Sequence, residues 1–117
     1  QVGTALLLSD EAGTNAVHRA ALHHAQSAST DSPGKAVNTI VTRAFSGRYA
    51  RCLVNDFTDR FDAVAPPGYP EVNQMTSPIR KAAVGAGDPN GTSLWAGIAH
   101  REIRGGPAAD IVAALAG

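Results

Sequence analysis

The sequence predicts an α/β chain, rich in helix and with about two strands, and three observations carry that prediction. The apolar stretch Val2–Leu8 stops at polar Ser9-Asp10-Glu11 and reads as a short buried strand. β-Branched residues recur over Val37–Thr42 and read as a second strand. From Ala50 onward apolar residues return at helical spacing, with Leu53, Phe57 and Phe61 at i, i+4 and i+8.

Each element has a local reason. Thr14 or Asn15 can cap a helix over Ala16–Ser27, where Val17, Ala20, Ala21 and His24 share a face. Ser27–Lys35 is a polar connector ending in Ser32-Pro33-Gly34. Phe45-Ser46-Gly47-Arg48 is a tight turn in which Gly47 is free to take a positive φ. The stripe Leu53, Phe57, Phe61 predicts one amphipathic helix over Ala50–Phe61. Ala65–Pro70 is a rigid, extended connector. Glu71–Thr76 predicts a short helix, and Ser77-Pro78 a fresh start for another over Pro78–Val84. After the Gly85–Gly91 loop, Leu94, Trp95, Ile98 and Ile103 predict a helix over Thr92–Arg104. Pro107 opens a last helix to Leu115.

Composition narrows the function classes. The length of 117 residues suits one domain, 1–117. Ten Lys and Arg balance ten Asp and Glu, which gives no electrostatic case for nucleic acid or an anionic membrane. The longest strongly apolar run is about four residues, against about 20 for a membrane span. Cys52 is the single cysteine, so no internal disulfide can form, and the expected compartment is the cytoplasm. Large core side chains are sparse, and two strands alone do not make an independent sheet. No Met precedes Gln1. The expectation is therefore a chain entered partway through a fold, whose missing N-terminal portion completes both the sheet and any ligand site.

Several residues invite a chemical role. Gly3 and Thr4 stand immediately before the apolar run Ala5–Leu8. Backbone N–H groups there, with no side chain at Gly3 and a hydroxyl at Thr4, can approach a phosphate closely. A plain strand end in which glycine relieves crowding explains the same residues. His18, His23 and His24 diverge around a helix, and no cysteine or carboxylate falls at ligand spacing, so no metal site is expected. His100, beside Arg101 and Glu102 on the predicted helix, is expected at the surface rather than in catalysis. Cys52 next to Arg51 could be an activated thiolate, but a buried structural thiol is the better account. Arg43, Arg48 and Arg51 form a small basic cluster that suits a fixed turn with solvated guanidiniums. Trp95 is expected to anchor the C-terminal helices.

Four stretches in order resemble the C-terminal part of the nitronate monooxygenases, also called 2-nitropropane dioxygenases. They are Gln1-Val2-Gly3-Thr4-Ala5-Leu6-Leu7, Thr42-Arg43-Ala44-Phe45-Ser46-Gly47-Arg48-Tyr49-Ala50-Arg51, Thr76-Ser77-Pro78-Ile79-Arg80-Lys81-Ala82-Ala83, and Ser93-Leu94-Trp95-Ala96-Gly97. Tyr49 departs from the proline usual there, and Ile98 from the Gln or Thr that often follows the last motif.

The resemblance implies the C-terminal portion of an FMN-binding (β/α)8 TIM barrel, its last strand followed by a helical extension. A whole barrel takes about 200 residues or more. It implies that Gln1, Val2, Gly3 and Thr4 line the FMN phosphate, that no catalytic residue lies in this segment, and that the segment alone is inactive. The implied activity is oxidation of alkyl nitronates with O2 to a carbonyl compound and nitrite. Two alternatives stay open: another barrel, either an FMN enzyme of the enoyl-acyl-carrier-protein reductase type or a broader phosphate-binding barrel of the IMP dehydrogenase type, and a non-catalytic remnant or partner-binding helical module.

Overall fold

The computed structural model describes residues 2–27 and 38–117. Gln1, residues 28–35 of the polar connector and Val37, the expected start of the second strand, lie outside the described residues.

The chain opens with a helical turn, α1 (Val2–Ala5), where a strand was expected. Ala and Leu favour helix, and the stretch has no β-branched residue after Thr4 to oppose it. A short apolar run does not by itself distinguish strand from helix. The turns continue as the Leu6 N–H donates to the Gly3 carbonyl at 3.3 Å and the Leu7 N–H to the Thr4 carbonyl at 3.2 Å. Leu8 is nevertheless buried, so the run still serves the core.

Helix α2 (Ala16–Ser27) has the bounds its sequence predicts. Asn15 caps it, its Oδ1 accepting the His18 N–H at 2.8 Å. Arg19 ties the preceding loop to the helix by donating to the carbonyls of Ser9, Ala12 and Thr14.

The β-branched stretch forms strand β1 (Thr39–Thr42), antiparallel to β2 (Ala50–Leu53), with Ile40 opposite Cys52 and Val41 opposite Arg51. The turn between them needs glycine. Gly47 has φ 90°, and a Cβ there would lie 2.5 Å from the backbone carbon of Gly68.

Strand β2 replaces the first third of the helix expected over Ala50–Phe61. The break has a local cause. Asn55 accepts the Thr58 N–H and Thr58 Oγ1 accepts the Asn55 N–H, each at 3.0 Å, a capping box that starts α3 (Asp56–Phe61). The Asn55 amide also donates to the carbonyls of Pro89 and Thr92.

The two helices expected on either side of Pro78 are one, α4 (Glu71–Gly85), with Pro78 inside it. Proline removes one donor and crowds the preceding turn. Burial of Val72, Thr76 and Ala83 along one face, and the Thr76 hydroxyl donating to the Phe45 carbonyl, keep the helix continuous.

The helix expected over Thr92–Arg104 is absent. Residues 94–96 run extended beside β2 instead. The Leu53 N–H donates to the Leu94 carbonyl at 2.8 Å and the Ala96 N–H to the Arg51 carbonyl at 3.2 Å, with Cys52 bridged to Trp95. Pairing with the sheet outweighs the helical spacing of Leu94, Trp95 and Ile98. Only a 3-10 turn at residues 100–102 is helical in this stretch. Helix α5 (Ala108–Ala116) follows Pro107 as expected.

Alternation along β2 builds two cores. Leu53 joins Leu8, Leu22, Ala25, Leu94 and Ala96 on one face. Cys52 joins Ala44, Phe45, Phe57 and Ala65 on the other. Phe45 stacks on Phe57 with centroids 4.5 Å apart and meets Trp95 edge-on at 5.7 Å. Trp95 is therefore anchored to the hairpin turn.

Candidate functional site

Of the residues expected to meet a phosphate, Gln1 lies outside the described residues, and Val2, Gly3 and Thr4 form the first turn of α1. A helix leaves its first N–H groups without intrahelical acceptors. Gly3 is exposed, and a Cβ built on it meets nothing within 4 Å. Among the described residues, the face beside Gly3 is thus open space.

Thr4 is half-buried, and its Oγ1 accepts the Gly97 N–H at 3.0 Å. A hydroxyl carries one donor and two acceptor lone pairs. With one lone pair engaged by Gly97, the Thr4 hydrogen has no acceptor among the described residues. This bond joins two stretches singled out in the sequence, Gly3-Thr4 and Leu94-Trp95-Ala96-Gly97, across 93 positions of chain.

Gly97 is held from both sides. Ala96, just before it, is bonded to β2. After it, the Gly97 carbonyl accepts from the His100 N–H at 3.1 Å and from His100 Nδ1 at 3.0 Å. His100 is 3% exposed and sits in the 3-10 turn, which corrects the expectation of a surface histidine on a helix. Its Nε2 is buried with no hydrogen-bond partner among the described residues. The sequence singles out Gly97 only within a motif and sets His100 aside as a surface residue, so the contact between them goes unread. The available signal is the spacing Gly97 to His100, i to i+3, which suits a tight turn and is too common to stand out.

Beside Thr4 runs a groove of about 650 Å³ between α1, residues 99–105 and α5. Ala5, Ile103, Ile111 and Leu115 give it an apolar wall, and Glu102, Arg104 and Asp110 a charged edge. It is wide enough for a small ligand or another segment of chain.

The remaining candidates have structural work. Cys52 is buried in β2 rather than in a helix, and burial, aided by Asp62, pushes its thiol up to about 12. It is thus a protonated core thiol, not a nucleophile. Arg43 donates to the Ala65 carbonyl at 2.7 Å, Arg51 to Thr39 Oγ1 at 2.9 Å, and Arg48 lies over the Tyr69 ring at 4.0 Å. His18 is buried, and its Nε2–H donates to the Trp95 carbonyl at 2.9 Å. His23 and His24 are exposed. No helix of the described residues is long and apolar enough to cross a membrane.

Comparison with known proteins agrees with the motifs. The family model for nitronate monooxygenase matches residues 1–117. A "Probable nitronate monooxygenase" of Staphylococcus aureus (strain MSSA476) is 36% identical over 114 residues, which is 96% of this chain and 30% of that protein. One from Staphylococcus haemolyticus (strain JCSC1435) is 36% identical over 104 residues, 86% of this chain and 26% of the relative. The crystal structure of nitroalkane oxidase from Streptomyces ansochromogenes is 45% identical, with a TM-score of 0.83, and the match covers 97% of this chain and 30% of that one. The chain thus spans under a third of the length of these relatives.

Proposed function

The chain belongs to the nitronate monooxygenase family, and from that premise we propose that it forms the C-terminal part of a flavin-dependent (β/α)8-barrel enzyme that oxidises alkyl nitronates with O2 to a carbonyl compound and nitrite. The observation that carries this reading is the Thr4–Gly97 bond, because it brings the Gly-Thr turn and the Leu-Trp-Ala-Gly segment to one point.

The residues present fit the phosphate end of FMN. The first turn of α1 offers N–H groups without intrahelical acceptors, Gly3 opens on free space, and the Thr4 hydroxyl has a hydrogen left to donate. In the proposed role Val2 and Gly3 contribute backbone amides and Thr4 an amide and its hydroxyl, with Gln1 a further proposed phosphate-lining residue. Bound there, FMN supplies the redox chemistry between nitronate and O2. This chain binds and orients the cofactor, and the groove beside Thr4 keeps an apolar wall next to it. The catalytic residues of the proposed reaction lie outside the chain, and the 117 residues alone bind FMN weakly or not at all.

The test is a Thr4→Val substitution in the full-length polypeptide carrying this chain. Losing a hydrogen bond to a charged group costs about 1.5–3 kcal/mol, so FMN affinity should fall roughly 10- to 150-fold. Nitrite release from an alkyl nitronate under O2 should be restored by saturating FMN. Undiminished FMN affinity in the variant would remove the phosphate assignment. Micromolar or tighter FMN binding by the 117 residues alone, in a fluorescence-quenching titration, would remove the claim that the rest of the site lies elsewhere.

A further inference from the structure

We propose that His100 is a positioning residue for the cofactor phosphate, acting through Gly97 on the Thr4 hydroxyl; the inference rests on the reading that Gly3 and Thr4 hold that phosphate.

An unbroken run of hydrogen bonds links His100 to Thr4 through Gly97. A carbonyl oxygen only accepts, so the 3.0 Å contact between His100 Nδ1 and the Gly97 carbonyl puts the proton on Nδ1. The His100 backbone N–H reaches the same oxygen at 3.1 Å. Two donors from one residue therefore fix the peptide on the C-terminal side of Gly97. On its N-terminal side, Ala96 is fixed by the Arg51 carbonyl of β2. Glycine has the widest choice of backbone conformations, and clamping both its neighbours is what holds its N–H in one direction. That N–H points at Thr4 Oγ1, 3.0 Å away. Without it the hydroxyl can rotate and turn its hydrogen back onto backbone oxygens. With it, the oxygen is occupied and the hydrogen is left for an external acceptor.

The cost of this histidine argues for the same role. His100 is 3% exposed, and Nε2, the acceptor nitrogen in this tautomer, is buried without a donor among the described residues. An unsatisfied buried acceptor is unfavourable, and a phenylalanine of similar shape would avoid it. Packing alone is therefore better served by Phe, and what histidine adds is the Nδ1–H.

A His100→Phe variant separates the two roles, because it keeps the volume, removes the Nδ1 donor and removes the orphaned acceptor. Affinities for FMN and for riboflavin, which lacks the phosphate, are measured by fluorescence titration on the full-length polypeptide carrying this chain. The expected result is a loss of roughly tenfold for FMN with riboflavin unchanged and the melting temperature unchanged or raised. His100→Asn, whose amide can donate from a similar position, should recover most of the preference for FMN. Equal losses for both flavins, or no loss for either, would overturn the proposal. Thr4→Val in the same assay keeps the two readings apart. If it does not weaken FMN selectively, the phosphate site itself is misplaced. If it does while His100→Phe does not, only the positioning role falls. Should the variants fail to fold, the imidazole nitrogen resonances of the unsubstituted protein still decide. A neutral His100 protonated on Nδ1 supports the proposal, and one protonated on Nε2 overturns it.

Discussion

The hairpin side of the molecule and the α1–α5 side are built in opposite ways. On the hairpin side Phe45 is fully buried, stacked on Phe57 and edged by Trp95, and the Gly47 turn is pressed against the backbone of Gly68. The Thr76 hydroxyl and the Arg43 guanidinium tie the surrounding segments to carbonyls of that region. On the other side α5 buries only Ile111, while Val112 and Leu115 stand 51% and 55% exposed and Ile98 66%. The hairpin side closes around a fully buried aromatic core, with Val41 and Tyr49 exposed on its surface, whereas the α1–α5 side lines the open groove beside Thr4. The open side is also the side where the proposed cofactor site lies, so in that proposal stability and ligand binding fall to different residues.

That division can be tested by substitution, and the largest effect belongs to the closed side. Phe45→Ala removes a fully buried ring and two aromatic contacts, and should cost about 3–5 kcal/mol. Urea unfolding followed by the fluorescence of Trp95, the single tryptophan, reads it directly. A cost below about 1 kcal/mol would mean that the hairpin core is not the stabilising unit.

A smaller effect should appear with pH. Burial holds the His18 pKa below the ordinary histidine value of 6.5, against the raising influence of its bond to the Trp95 carbonyl. The unfolded chain takes up this proton near 6.5 and the folded chain only at lower pH. The His18 contribution is thus complete above about 6.5, declines as pH falls below it, and levels off once the lowered folded-state value is passed. Comparing unfolding midpoints across this window for the unsubstituted protein and His18→Gln should show the decline flattened in the variant. An unchanged slope would relocate the titrating group.

The smallest effect belongs to the open side. Leu115→Ser should change the stability of the 117-residue chain by no more than about 0.5 kcal/mol, because the side chain is already largely in water. A cost comparable to that of Phe45→Ala would erase the distinction between the regions.

The sequence makes some of this legible and hides the rest for identifiable reasons. Helix α2, strand β1 beyond Val37, the positive φ of Gly47 and helix α5 rest on local chemistry: an Asn15 cap, β-branched residues, a turn glycine and Pro107. The errors arise where tertiary partners decide. Leu94–Ala96 has helical spacing but pairs with β2, and Pro78 sits within a helix held by buried neighbours. At Ala50–Phe61 the Asn55–Thr58 capping box was present in the sequence, and the Leu53, Phe57, Phe61 stripe obscured it. For the site, Gly3 and Thr4 stand out through a family resemblance. The Thr4–Gly97 bond spans 93 positions, which no local pattern encodes, and the His100–Gly97 contact is local but at a spacing too common to stand out.

Cys52 makes the chain its own recorder of motion. It lies at the centre of the sheet between β1 and the Leu94–Ala96 segment, wholly shielded and with its thiol pushed up to about 12. An alkylating reagent can reach it only when the sheet parts, so the rate of its modification counts openings of the hairpin. Since no other sulfhydryl competes, a cysteine placed at exposed Leu115 would react while the sheet stayed shut. The two labels would time the two sides of the molecule separately, one by opening and the other by whatever comes to cover it.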